Sequence, residues 1–326
     1  MRSFFLSVDK PAGITSHDVV AMLRAVTGSE KVGHTGTLDP FATGALAIAF
    51  GNATRLIQYL DEDLKVYDAT IALGDATDTG DPTGSVIRSA PVPALAEDGV
   101  REVLSRFQGV MMQAPPRYSA VKVRGKPLYS YAREGEDVEA QPRPIRIDAV
   151  ELLELGPAHL RVRISCGRGT YARVLADDIA VALGTAGHLS ALRRERTGPF
   201  TVDRALTLPQ LGLIAGGSED WAAVMRPSRG PERVRWAPRE AIWEALQPLL
   251  VAPADALAHL PSVQLRPGER ARALSGAVVP HPGPEVKVGD TYLLVEGGDV
   301  LALAVRDPRG PRLSRKIAED EDRRRR

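Results

Sequence analysis

The sequence predicts an α+β fold: a mainly antiparallel mixed sheet with flanking helices, followed by a small all-β domain at the C-terminal end. Three observations carry that prediction. Apolar residues repeat every second position in some segments and at helical spacing in others, without the regular β–α–β alternation of a doubly wound parallel sheet. The chain is 326 residues long and 44% apolar, enough for one large core, or one large and one small. Beyond about residue 256 the pattern changes to short strands broken by turns, as in VQLRPGE, GAVVPHPG and TYLLVEGGDVLALAV.

The elements follow in order. GITSHDVVAMLRAVTG predicts a helix. Thr15 followed by Asp18 has the capping-box spacing, Val19, Val20, Leu23 and Val26 form an apolar stripe, and Gly28 supplies a stop. ALAIAF (45–50) predicts a buried strand, and Asn52 is placed to cap a short helix through Leu56, Ile57 and Leu60. In KVYDATIAL (65–73), Tyr67, Ala69, Ile71 and Leu73 share one strand face. GDATDTGDPTG (74–84) is a turn-rich loop, and a helix near 97–107 carries Val100, Val103, Leu104 and Phe107 on one side. A proline-rich segment comes next, then strands near 145–155 and 159–166. TYARVLADDIAVALG (170–184) sets Tyr171, Val174, Leu175, Ile179 and Leu183 at helical spacing before Gly184. Residues 216–255 open with Gly-, Pro- and Arg-rich sequence and read as a connector or insertion. The expected division is a catalytic domain over 1–255 and a β domain over 256–326, the latter ending in a disordered charged tail, EDEDRRRR.

Basic and acidic residues number 42 and 41, so net charge gives no sign of a nucleic-acid partner; local clusters can. Lys122, Arg124 and Lys126, Arg143 and Arg146, Arg161 and Arg163, and Arg193, Arg194 and Arg196 would make a phosphate track if they lined one cleft. A lone cysteine, Cys166, excludes an internal disulfide or a multi-cysteine zinc cluster and predicts a strand residue without chemistry. No apolar run approaches the roughly 18 residues of a membrane span, and the N-terminus meets Asp9 and Lys10 too early for a secretory signal. The expectation is a soluble cytoplasmic protein without a membrane partner. Asp75, Asp78 and Asp81 lack EF-hand spacing and read as turn residues.

The stretch that stands out is GHTGTLDPFATGAL (33–46), where one carboxylate, Asp39, sits among glycines and threonines. An aspartate before proline is commonly a turn residue. Here Gly33, Gly36 and Gly44 would let the backbone approach a flat ligand, while His34, Thr35, Thr37 and Thr43 offer hydrogen bonds to phosphate or sugar.

This stretch resembles the catalytic-aspartate motif of the bacterial tRNA pseudouridine-55 synthase family (TruB type). VDKPAGITSHDVV (8–20), KVYDATIALGDATDTGDPTG (65–84), APPRYSAVKVRGKPLYSYAREG (114–135) and ISCGRGTYARVLADDIAVALG (164–184) resemble further blocks of that family in the same order, so the resemblance spans roughly residues 6–200. It implies the pseudouridine synthase fold and a PUA-like RNA-binding domain at the C-terminus. It also implies cleavage of a uridine's C1′–N1 bond, rotation of the flipped-out base and reattachment through C5, with no cofactor and no metal.

By the same resemblance Asp39 is the catalytic carboxylate, Arg173 its ion-pair partner and Tyr67 the tyrosine that stacks on the base. His34, Tyr171 and Leu192 contact the substrate, and Lys10 orders the loop near the site. An arginine suits that place because its planar fork holds both carboxylate oxygens and stays charged. The implied partner is the T-arm of tRNA, bound by a monomer without an obligatory protein partner. Two alternatives stand beside it: a guide-RNA-dependent pseudouridine synthase, which shares the GHTGTLDP-type loop, and a mainly non-catalytic RNA-binding or tRNA-folding protein on the same scaffold.

Overall fold

A computed structural model describes residues 3–60, 64–138, 140–222 and 236–317 of the chain. The N-terminal half contains β1 (Phe4–Lys10), α1 (Ser16–Thr27), β2 (Val32–His34), β3 (Thr43–Phe50), β4 (Lys65–Leu73), β5 (Asp75–Thr77), β6 (Val86–Ser89), α2 (Glu97–Ser105) and β7 (Gly109–Gln113). An excursion formed by β8 (Lys122–Val123), β9 (Lys126–Pro127) and α3 (Leu128–Arg133) precedes β10 (Arg143–Leu155), β11 (His159–Cys166), α4 (Ala172–Ala182) and β12 (Gly187–Thr197). Then come β13 (Phe200–Thr201), β14 (Leu206–Thr207), α5 (Leu208–Gly216), α6 (Arg239–Leu246) and β15 (Leu250–Val251). The C-terminal part holds β16 (Ser262–Gln264), α7 (Arg270–Ser275), β17 (Thr291–Glu296), β18 (Asp299–Asp307) and β19 (Gly310–Lys316).

Among the described residues the larger sheet has eleven strands, with the order β14-β1-β3-β12-β4-β11-β10-β7 along its main path. Within that sheet only β1/β14 and β3/β12 pair in parallel; its other pairs are antiparallel. The fold is therefore the mixed α+β architecture expected, with a small β-rich sheet, β16-β17-β18-β19, at the C-terminus.

Alternation decides what each sheet face does. Leu6, Val8, Leu46, Ile48, Tyr67, Ala69, Ile71, Val162, Ile164 and Leu192 point to one face and form the main core with α1, α2, α4, α5 and α6. The N-terminal capping box of α1 forms as expected: the Asp18 N–H donates to Thr15 Oγ1 at 3.1 Å and the Thr15 N–H to Asp18 Oδ2 at 2.8 Å, with Gly28 left-handed at the exit. On the opposite face Phe5, Ala47 and Ala49 pack against Leu293, Val295, Leu303 and Ile317, so the small sheet covers one half of the back.

The other half of that back face carries a ladder of ion pairs. Arg193 grips Asp9 through two bonds of 3.0 and 2.7 Å, Arg161 lies 2.6 Å from Asp68, and Arg163 lies 3.3 Å from Glu195. Three arginines of the expected phosphate track are thus matched by three carboxylates on the face away from the main core. Arg194 leaves the track for a different reason: it is 1% exposed. Lys122, Arg124 and Arg143 remain exposed.

The β3/β12 seam is two residues long, Thr43↔Arg193 and Gly44↔Arg194. Gly44 has φ +106°, and a Cβ there would lie 2.2 Å from the Arg194 carbonyl oxygen. Its lack of a side chain serves the joint between the two halves of the sheet rather than ligand approach, and Gly33 is an ordinary strand residue of β2. Gly44→Ala is expected to destabilise the protein by ~3 kcal/mol or more, because a strained φ and a backbone clash coincide. A denaturation midpoint unchanged from wild type would contradict this.

Several expectations change. Asn52 does not cap its helix: a 3-10 turn over Gly51–Arg55 has Phe50 at its N-cap, without a side-chain bond. The expected all-β C-terminal region contains α7, whose Ala273 and Leu274 are buried under the small sheet, and GAVVPHPG forms no strand. The connector is not wholly outside the core, since α6 buries Ile242 and Leu246 and sets Trp243 edge-on to Phe4 and Phe50 at 5.0 and 5.4 Å. The charged tail and residues 223–235 lie outside the described residues.

Candidate active site

Asp39 lies in the turn Asp39–Ala42, closed by the Ala42 N–H donating to the Asp39 carbonyl at 3.1 Å. The neighbours on both sides of it are fastened. Leu38 exchanges two hydrogen bonds with the Ser16 hydroxyl, 2.8 and 3.1 Å, at the start of α1. The Pro40 carbonyl accepts from the Gly13 N–H at 2.8 Å and from Lys10 Nζ at 3.3 Å. Upstream, the buried Arg194 guanidinium donates to the carbonyls of Gly36 and Thr37 at 3.1 and 3.4 Å, and to that of Ala45 at 2.8 Å. These bonds tie the glycine-rich loop to the start of α1, to β1 and to β12.

Arg173, in the first turn of α4, reaches this loop across a separation of 134 residues. Its Nε lies 2.9 Å from Asp39 Oδ2 and its Nη2 3.4 Å from Oδ1, a two-point grip. The remaining donor capacity goes to the Thr79 carbonyl at 2.7 Å and the Tyr118 carbonyl at 2.9 Å. The guanidinium side chain is 7% exposed and the carboxylate 35%, so the arginine stands behind and the aspartate faces outward. Asp81 lies 4.0 Å behind Arg173. Its Oδ1 accepts from the Thr79 hydroxyl, the Thr83 N–H and the Thr83 hydroxyl, which matches its expected turn role and adds an electrostatic one.

The charge on Asp39 is not set by Arg173 alone. Burial pushes its carboxyl above the ordinary value, Arg173 and Lys10 pull it down, Asp81 pushes it up again, and the net direction is upward. Arg173 limits the rise rather than reversing it.

Tyr67 is 8% exposed on β4, between Ile164 of β11 and Arg194 of β12. Burial raises the phenol above its usual value despite Arg194, so Tyr67 is a neutral phenol at pH 7. The Arg194 guanidinium pulls its phenol down and the Asp39 charge pushes it up.

Leu192 is 7% exposed beside Ala69, in the main core on the same sheet face as Tyr67. Tyr171 is not on the apolar stripe of α4. It is the half-buried residue at the N-cap, two positions before Arg173. His34, at the end of β2, is half-buried; burial and the nearby Arg194 push its imidazole down, and its buried Nδ1 finds no protein partner. Cys166 is buried and its thiol pushed up to about 11, as befits a thiol without chemistry. Among the described residues no group of three or more His, Cys, Asp or Glu side chains is arranged to hold a metal ion.

Lys10 is fully buried, and its ammonium donates to the carbonyls of Pro11, Ile14 and Pro40 at 2.9, 2.8 and 3.3 Å. Burial lowers it to about 8 against the pull of Asp39. Lys10→Met is expected to destabilise the protein by ~2 kcal/mol, because three carbonyls lose a donor while one buried charge is relieved. Between about pH 8 and pH 10.5 the unfolded chain holds a proton that folded Lys10 has released. Wild-type stability relative to Lys10→Met therefore rises with pH across that window. Thermal melts of both proteins at pH 7.5 and pH 10 measure it; a difference that shrinks as pH rises would contradict the assignment.

A largely antiparallel α+β sheet, a small C-terminal sheet and an arginine-gripped aspartate are the arrangement that the resemblance to the pseudouridine synthase family implies. Sequence comparison agrees. The profile described as "TruB family pseudouridylate synthase (N terminal domain)" matches residues 24–172, and that described as "tRNA pseudouridylate synthase B C-terminal domain" matches residues 173–224. The chain is 40% identical over 306 residues to "tRNA pseudouridine synthase B" of Geobacter sulfurreducens, covering 92% of each chain. It is 41% identical over 307 residues to the protein so named in Geotalea uraniireducens, covering 92% of this chain and 90% of that one. It belongs to the TruB family. Among solved structures, a "Cbf5-Nop10-Gar1 Complex" shares the fold with a TM-score of 0.66 and 27% identity, covering 97% of this chain and 85% of that one.

Proposed function

We propose that this protein isomerises uridine 55 in the T-loop of tRNA to pseudouridine. The observation that carries the reading is the outward-facing Asp39 carboxylate, gripped from behind by Arg173 at 2.9 Å. The overall change breaks the C1′–N1 bond, turns the base, forms the C1′–C5 bond, releases the C5 proton and leaves a proton on N1. It consumes nothing, which is why no cofactor is called for. Asp39 acts on the flipped-out uridine, as nucleophile at the base or as the charge-stabilising group at the ribose. Tyr67 supplies the face on which the base stacks, Leu192 and Tyr171 close the pocket, and His34 contacts the RNA. Lys10 holds the loop.

Residues 1–255 form the catalytic unit and residues 256–326 a PUA-like RNA-binding unit; the protein works as a monomer in the cytoplasm. No helix among the described residues is long and apolar enough to cross a membrane. The test is tritium release from C5-labelled uridine in an unmodified tRNA transcript, with the product mapped to its position. Release from position 55 by the purified protein alone is the expected result.

A guide-dependent reading has one observation in its favour, the likeness to a protein solved in a Cbf5-Nop10-Gar1 complex. The greater identity to proteins named tRNA pseudouridine synthase B weighs against it. Tritium release that requires added guide RNA would reverse that judgement.

A further inference from the structure

We propose that Gln113 is a positioning residue for this site: its side-chain amide fixes the backbone of Tyr171 at the entrance to α4 and so aims Arg173 at Asp39. The inference rests on the reading of Asp39 and Arg173 as the catalytic pair. Gln113, the last residue of β7, is 5% exposed. Its Oε1 accepts from the Tyr171 N–H at 2.8 Å and its Nε2 donates to the Tyr171 carbonyl at 3.2 Å. Both ends of the amide are matched to one residue's backbone, which settles which end is oxygen and which nitrogen.

Tyr171 needs outside help. It is the N-cap of α4, with φ −99° and ψ 104°, and its own side chain makes no capping bond. Serine, threonine, aspartate or asparagine would cap the helix from within. Here a glutamine 58 residues away in sequence fixes the entry.

Two residues into the helix stands Arg173, which must meet Asp39 with two bonds while donating to Thr79 and Tyr118. Gln113 and Tyr118 lie on one short segment, so that segment holds the first turn of α4 at two points: the Tyr171 backbone and the Arg173 guanidinium. The grip is separate from sheet formation. Gln113 pairs with Arg143 of β10 through the backbone, a contact that survives loss of the side-chain amide. The Tyr171 carbonyl also receives the Leu175 N–H at 3.1 Å, so the bond lost without substitute is the one from the Tyr171 N–H.

The test is Gln113→Met, which keeps the length of the side chain and removes both bonds. Single-turnover isomerisation of a T-arm transcript is expected to fall by on the order of 10²-fold, the effect of a small misalignment of a catalytic group. The Kd for tRNA is expected to stay within about threefold, because phosphate contacts are untouched. The ionisable groups facing Asp39 are Arg173 from α4, Asp81 from the β5–β6 loop, Lys10 from β1 and Tyr67 from β4. Of these, only Arg173 sits on the element whose entry Gln113 holds. The acid limb of the pH–rate profile therefore moves to higher pH, in the direction of an Arg173→Met variant. A merely structural glutamine would lower the melting temperature and the yield without moving that limb.

A rate within about twofold of wild type, or a slower rate with the acid limb unmoved, overturns the proposal. Should Gln113→Met fail to fold, Gln113→Asn, one methylene too short to span both bonds, is read by the same two measurements. Wild-type protein without activity on tRNA would instead refute the functional reading. An active wild type indistinguishable from its Gln113 variants refutes this inference alone.

Discussion

Asp39→Asn lowers the isomerisation rate by on the order of 10⁴-fold and leaves the Kd for tRNA within about threefold of wild type. The substitution changes one atom and no volume. The asparagine oxygen still accepts from Arg173, and Leu38 and Pro40 stay tied to Ser16, Gly13 and Lys10, so the loop keeps its path. What disappears is the negative charge on the outward-facing group, and with it both a nucleophile and a charge-stabilising partner. Affinity survives because RNA binding by proteins rests largely on sequence-independent contacts to phosphates, which this position does not supply. Single-turnover kinetics and filter binding on the same transcript measure the two quantities. Turnover comparable with wild type would remove Asp39 from the chemistry.

Arg173→Met lowers the rate by ~10³-fold and carries the acid limb of the pH profile upward. Losing a preorganised, charge-assisted contact to a reacting group costs on the order of 10²–10³-fold in rate, and here two such bonds to Asp39 go at once. The sign of the pH effect follows from the balance at Asp39. Burial already raises its pKa, and Arg173 is the largest influence opposing that rise. The active form is the carboxylate, present above the pKa and lost as pH falls through it. The wild-type limb is therefore shifted upward from the ordinary aspartate value, and without Arg173 it is shifted further. Lys10 remains on the lowering side but faces Asp81 on the other. A limb that stays in place, or moves down, would show that Arg173 does not govern the charge on Asp39.

Local chemistry was legible in the sequence, and long-range pairing was not. The capping box of α1 and the alternating face of β4 follow from residues three or two apart, so both are visible in a short window. The capping box of α5, Thr207 with Gln210, has the same signal in TLPQ and was open to the same reading. Six-residue α7 is too short to show a period; its one sign is Gly276 at the exit. At the site, only the ordered likeness to a known family joined Asp39 to Arg173.

Burial of single charged residues was equally hidden. Arg194 sits in a basic cluster by sequence, yet alternation along β12 turns it inward while Arg193 turns outward. Gln113 carries no sequence signal at all, because its partner is a backbone. Gly44 shows how one residue type conceals its purpose: the glycine expected to admit a ligand instead admits the backbone of the neighbouring strand.

The paired arginines and carboxylates of β1, β4, β11 and β12 bear on how a polyanion finds this protein. A polyanion approaching that side meets arginines whose charge is already matched, so the pull it feels there is weaker than unpaired arginines would exert. Equal counts of acidic and basic residues over a whole chain are therefore compatible with a charged partner, provided such pairing is confined to one flank.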